Sequence, residues 1–241
     1  MERAAGEDAA LALVRERGRF SRDLGIDVDA GGAEVDRWLL AATLFGTRIS
    51  AAVAVRTMRT LQAAGVRTVA DAARRRRSTL VRLLDDGGYA RYDERTATRM
   101  RALAHAVQER FPDGVDEWGR SCRTADELVT GLDALPGWGP VTVRAFLREL
   151  RGVWPAADLP PDERAERAAR ELGLVGAEGL TTAALRGLAA SAGTDPRDLE
   201  VGLVRWDLDG RSGRSGGARD EHATGVRRPP GHHGGGQSPD P

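Results

Sequence analysis

Between residues 134 and 142 the chain reads Ala134-Leu135-Pro136-Gly137-Trp138-Gly139-Pro140-Val141-Thr142, and no other segment limits the fold as much. Gly137 and Gly139 stand one residue apart. Glycine reaches positive φ without steric cost and lets a partner approach where a Cβ would stand. Pro140 suits the first turn of a new helix, where its missing N–H has no intrahelical use. Helical periodicity flanks the segment, over 124–134 before it and 140–151 after it, with Val143, Phe146, Leu147 and Leu150 on one stripe. Two helices joined by a tight hairpin follow, with Leu135 packed between them. The amides opening the second helix then point outward at the positive end of its dipole, an arrangement that takes an anion. A plain helical hairpin with a Gly-Pro turn makes the same demands on the sequence.

Helical patterning runs through the rest of the chain. An N-terminal helix reaches Arg17, and a loop spans 25–32. A strongly apolar helix begins near Ala33 with Trp38, Leu39, Leu40, Ala42, Leu44 and Phe45; Gly46 interrupts it. The next helix carries Ile49, Val53, Val55, Met58 and Leu61 to a stop at Gly65. Short helices are predicted over 69–76 and 78–84, then a turn at Asp85-Asp86-Gly87-Gly88. Met100, Leu103, Val107 and Phe111 recur at steps of three and four, which places one face of a long helix over 93–111. Helices over 162–172, 181–192 and 195–206 complete the pattern. No strand-like alternation is present, so the expected class is all-α. After Leu208 the residues are mainly Gly, Ser, Arg, Pro and His, which cannot bury enough surface to offset the entropy of ordering. A disordered tail over 207–241 is expected. Its His222, His232 and His233 suit either metal binding or low-complexity drift.

Composition narrows the chemistry. The 241 residues hold four Phe, two Tyr and five Trp, so the core rests on Leu, Val and Ala. All 36 basic residues are Arg. A chain without lysine has no side-chain amine for Schiff-base chemistry, because guanidinium stays protonated. Cys122 is the only cysteine, which excludes an intramolecular disulfide and a four-cysteine cluster. The N-terminus has no signal-peptide core, and no apolar run approaches ~18 residues. A cytoplasmic protein without membrane contact is expected.

The stretch Leu135-Pro136-Gly137-Trp138-Gly139-Pro140-Val141-Thr142-Val143, with an aspartate opening a helix about twenty residues later, resembles the helix-hairpin-helix DNA glycosylase superfamily, the endonuclease III-like proteins. Supporting matches are Leu44-Phe45-Gly46-Thr47-Arg48-Ile49-Ser50 and the loop from Gly88 to Ala97. The resemblance covers roughly residues 38–173. It implies two helical subdomains with a DNA cleft between them: about 47–134, and the N-terminal segment with about 140–206. It also implies phosphate binding through Leu135, Gly137, Trp138, Gly139, Val141 and Thr142. Two departures qualify it. The family's bifunctional members carry a lysine where Val141 stands, so a lysine-based lyase is excluded, and the four-cysteine cluster loop is absent. What remains resembles the monofunctional branch in base-excision repair, a monomer acting on double-stranded DNA without cofactor or metal, or a member that has lost catalysis.

Hydrolysis of an N-glycosidic bond develops positive charge on the sugar, which a nearby carboxylate stabilises while it orients or deprotonates water. Two residues compete for this role. Asp158 matches the family's spacing from the hairpin, whereas Asp162 matches the register of the following helix and also reads as its N-cap. Reaching a base in a duplex requires flipping it out of the stack. Thr47, Arg48 and Ser50 are the candidates for base contact, and Tyr89 or Tyr92 for stacking, with a core role open for Tyr92. Residues 47–101 hold thirteen Arg against five acids (Asp71, Asp85, Asp86, Asp93, Glu94), an excess of eight that the rest of this neutral chain cancels. Within it Arg91 and Arg95 flank the matched loop and are the expected DNA contacts. The run Arg74-Arg75-Arg76-Arg77 also reads as a solvated helix face.

Overall fold

The computed structural model describes residues 11, 12, 14, 17–46, 49–89 and 93–220, the side chains of 93 and 211–220 excepted. Among them the chain is all-helical, with no strand and a single isolated bridge between Arg151 and Trp154. The helices are α1 (Phe20–Asp23), α2 (Ala33–Phe45), α3 (Ala51–Ala63), α4 (Val69–Arg74), α5 (Arg77–Asp86) and α6 (Asp93–Arg110). They continue with α7 (Val115–Ser121), α8 (Ala125–Asp133), α9 (Pro140–Glu149), α10 (Glu163–Glu171), α11 (Thr182–Ser191) and α12 (Pro196–Asp220). A 3-10 turn at Val28–Ala30 lies within the predicted loop. No described helix is long and apolar enough to cross a membrane.

Local signals set many boundaries. Ser50, Thr68, Thr124 and Thr181 each accept a backbone N–H in the first turn of α3, α4, α8 and α11, and Thr68 with Asp71 closes a reciprocal capping box. Gly88, at φ +93°, ends α5, with Tyr89 N–H bonded back to Leu84 O at 2.8 Å.

One apolar cluster runs from Phe20 to Ala157 and includes Val201. Trp38, on α2, lies near its middle, 1% exposed, and its Nε1 donates to Phe146 O of α9 at 3.1 Å. Tyr89 hydroxyl donates to Leu44 O at 3.2 Å, which makes Tyr89 a core residue and corrects its expected role as a stacking partner for a base. Glycines admit two further large rings. A Cβ on Gly119 would lie 2.4 Å from Trp154, and one on Gly131 2.4 Å from Trp118. The helices α10, α11 and the start of α12 bury a further set, among them Ala165, Ala168, Leu185, Ala189, Leu199 and Leu203.

Three elements depart from expectation, the four-residue α1 among them. Helix α7 has no counterpart in the sequence reading, because seven residues interrupted by Gly119 carry too few turns to show a period. Helix α12 continues to Asp220, past Leu208. Extending a formed helix adds one hydrogen bond per residue without a new nucleation cost, which offsets the poor propensity of its glycines. The chain divides into two units, Met1–Asp207 and Leu208–Pro241, and the second is helical as far as Asp220.

Buried charge ties the first unit together. Glu149, fully buried at the end of α9, accepts the amides of Phe20 and Ser21 at 3.0 Å each. Burial pushes its carboxyl above the ordinary range, against the Ser21 and arginine contacts that favour the charged form. Arg197 of α12 donates to Asp29 at 2.7 Å and to Asp195 at 2.6 Å. The Arg197 hydrogen bond is the largest influence on Asp29 and holds its carboxyl below the ordinary 3.8. A depressed aspartate stabilises the fold above its unfolded value and loses that contribution as pH falls through the folded one. Replacing Arg197 with Met leaves two partly exposed carboxylates with their longer contacts to Arg19 and is expected to cost about 2 kcal/mol at pH 7, less than breaking a fully buried pair. Thermal melts of parent and variant should converge as pH drops below 3.8; a gap independent of pH would refute the linkage.

Candidate functional site

The predicted hairpin joins α8 to α9 by a tight turn. Trp138 N–H donates to Leu135 O at 3.0 Å, and Gly137 has φ +82°. Proline second and a left-handed glycine third are the requirements of a type II turn, which explains the order Leu135-Pro136-Gly137-Trp138. Gly137 also accommodates the stem of Arg99 from α6, whose Cδ would lie 3.0 Å from a Cβ at that position. Gly139 differs. Its φ of −167° is extended backbone, and a Cβ there would meet nothing within 4 Å.

The side chains divide cleanly. Leu135 is 2% exposed, Trp138 8% and Thr142 3%, so their side chains face the core. Trp138 Nε1 donates to Thr43 at 3.1 Å, and its ring meets Phe146 edge-on at 5.2 Å. Thr142 lies against Gly46, where an added Cβ would come within 1.8 Å of its hydroxyl. Val141 points outward, 63% exposed. No side chain caps α9, and the amides of Val141 and Thr142 have no acceptor among the described residues. The hairpin therefore presents backbone donors beside one exposed aliphatic side chain.

Of the expected base contacts, Thr47, Arg48, Arg91 and Tyr92 lie outside the described residues. Ser50 is exposed, and its hydroxyl serves as the α3 cap. Arg95 is exposed on α6, one turn before Arg99, so these two arginines share a face that leads to Gly137. Arg56 of α3 donates to Gly87 O at 2.9 Å and covers Gly88. In the run at 74–77, Arg74 pairs with Asp71, Arg75 donates to Ala64 O and Arg77 pairs with Glu94.

The two aspartates sit beside the far half of α9. Val141, Arg144 and Arg148 share one side of that helix, at steps of three and four. Arg144 donates to Pro160 O at 3.2 Å, and Arg148 stands 3.5 Å from Asp162. The loop bearing both aspartates thus follows the helix face that begins at the exposed hairpin, and Arg148 lies about 10 Å along the axis from Val141. Asp162 caps α10 through Arg164 N–H at 2.8 Å, and its own amide donates to Glu200 at 3.0 Å. Asp158 is one-third exposed and pairs with two arginines, Arg151 through Oδ1 and Arg186 through Oδ2.

Several of these residues escaped the sequence reading. Arg99 could have been found as the i+4 neighbour of Arg95. Arg151 and Arg186 carry no local signal, because their pairing with Asp158 depends on tertiary placement. Two surface cavities, of about 330 and 600 Å³, are lined by Arg19 to Asp29 residues and by Trp118 to Gly131 residues, away from every predicted site residue. Cys122 borders the larger, and burial with the nearby Glu127 pushes its thiol up. Among the described residues no three His, Cys, Asp or Glu side chains converge where a metal would sit. Compared with protein-family models and with curated proteins, the chain matches none.

The two hairpin glycines should respond differently to a methyl group. Gly137→Ala forces a left-handed residue against Arg99 and is expected to cost about 1–2 kcal/mol. Gly139→Ala should stay within about 0.5 kcal/mol of the parent. Urea unfolding of both variants checks this, and equal losses would contradict the assigned turn.

Proposed function

We propose that the protein is a monofunctional DNA glycosylase of helix-hairpin-helix type, gripping a phosphate with the hairpin and using Asp158 to hydrolyse the N-glycosidic bond of a damaged or mismatched base. The observation that carries this reading is the shared side of α9: amides without an acceptor among the described residues and exposed Val141 at one end, the aspartate loop alongside the other. Phosphate held at the hairpin fixes the register of the duplex and reads no sequence. The arginine excess over residues 47–101, including exposed Arg95 and Arg99, supplies the remaining electrostatic attraction. In this reading the DNA occupies a cleft between two helical subdomains.

Of the two aspartates, Asp158 suits the chemistry better. Asp162 is occupied as a helix cap and faces the buried Arg148, so using it would uncap α10. Asp158 lies in a loop and is more exposed. With a base flipped from the stack, the bond from C1′ to the base nitrogen breaks and its electron pair leaves with the base. The Asp158 carboxylate offsets the charge on the sugar and accepts a proton from the water whose oxygen bonds to C1′. No lysine competes with that water, so the product is an intact abasic site.

A second reading, a non-catalytic lesion- or abasic-site-binding protein, draws on one observation. Both oxygens of Asp158 are engaged by guanidinium groups, which cancel the field that would stabilise a cation. Duplexes carrying uracil, alkylated or oxidised bases, treated with alkali after incubation, separate the two. Asp158→Asn is expected to lower base release by about 10²–10³. Asp162→Ala should leave the chemistry largely intact and cost about 1–2 kcal/mol of stability. Gly139→Ala should weaken duplex binding with little change in melting. Salt-dependent duplex binding without base release across the panel would establish the second reading, and no such binding would refute both.

A further inference from the structure

The two arginines on Asp158 are not equivalent. Arg151 is 5% exposed, and its other arm donates to Glu200 at 2.9 Å, so it is held on two sides. Arg186 stands on α11 with its side chain 58% exposed, and Asp158 is its only hydrogen-bonding partner among the described residues. A pair with one partner in water is held weakly, because solvent competes for both charges and a long side chain must be ordered. The planar fork of a guanidinium fits a phosphodiester as well as it fits a carboxylate.

From this difference we infer that Arg186 is a phosphate ligand parked on Asp158 in the free protein, and that a DNA phosphodiester draws it off and frees Oδ2. The inference rests on the DNA-binding reading above. One side-chain movement then has two consequences. The guanidinium neutralises a backbone phosphate, and the carboxylate, left with only the Arg151 that it shares with Glu200, regains net negative charge when substrate is present. Arg151 cannot do the same, because leaving Asp158 would still keep it tied to Glu200 in the interior. Among the described residues Asp162 has no comparable hydrogen-bonded arginine, since Arg148 beside it is 6% exposed and Arg167 is bonded to Asp207.

Duplex affinity measured across a salt series for the parent, Asp158→Asn, Arg186→Gln and the double variant tests this through binding alone. Asp158→Asn should release Arg186 and tighten binding about fivefold with the slope of log K against log salt close to the parent's, whereas Arg186→Gln should flatten that slope by about 0.9, one fewer neutralised phosphate. In the Arg186→Gln background Asp158→Asn should change neither quantity. An equal gain in both backgrounds would reflect only the loss of a negative charge and would overturn the proposal, as would a slope that Arg186→Gln leaves unchanged. Absence of salt-dependent binding in all four proteins would instead overturn the DNA reading and this inference together. The unaltered chain supplies a second measurement: the Arg186 Nε–H resonance should shift when duplex is added, and a resonance that stays put while the duplex binds overturns the proposal.

Discussion

Arg148, Glu149 and Arg151 sit at the C-terminal end of α9, all three buried, and the placement of both candidate aspartates against that helix depends on where the two arginines point. Arg148 faces Asp162, Glu149 holds the amides of Phe20 and Ser21, and Arg151 joins Asp158 to Glu200. Arg197 adds a hydrogen bond to Glu149 O at 3.3 Å. Such groups contribute little net stability, because desolvation consumes most of their attraction and apolar replacements often serve as well. They do restrict geometry. An apolar end to α9 could pack against several surfaces at similar cost, whereas charges taken from water need particular partners. The hub therefore locks α9 between the N-terminal segment, the aspartate loop and α12.

At its other end α9 is held by packing. Trp138 and Phe146 bracket one side, Trp38 reaches across from α2 to Phe146 O, and Thr142 fills the space left by Gly46. The outward-facing amides at the hairpin are thus mounted on a helix restrained along its whole length. That rigidity matters for anion binding, since a donor array ordered beforehand loses less entropy when the anion arrives. Gly137 and Gly139 divide the work. The first makes the turn and admits Arg99, while the second leaves the backbone bare on the exposed side.

What could be read from the sequence was what local physics controls. The hairpin, its proline and the stripes of α6 and α9 are written within a few residues of where they act. The same holds for the cap that Asp162 gives α10. Helix α7 was not legible, since its role is to carry Gly119 beneath Trp154, thirty-five residues away in sequence. Tyr89 was misjudged because an exposed-looking loop tyrosine gives no sign that its hydroxyl will find Leu44 O. The state of the candidate carboxylates was equally hidden. Spacing from the hairpin nominates Asp158, yet nothing near it in the chain announces Arg186 on a helix two elements later.

The absence of lysine then acquires a meaning beyond excluding a Schiff base. A lysine ammonium beside a carboxylate is a strongly hydrated point charge that gives little direction to its partner. A guanidinium forms directed, forked contacts, and the same fork fits a phosphate. With arginine as the only permanently charged side-chain cation, both candidate aspartates are met by a group whose fork also fits a phosphate. Asp158 is the clearest case, carrying one arginine fixed in the interior and one left at the surface. Under the proposed function, the carboxylate that best suits the chemistry would thereby be coupled to the backbone that substrate brings, and the coupling would require no movement of any helix.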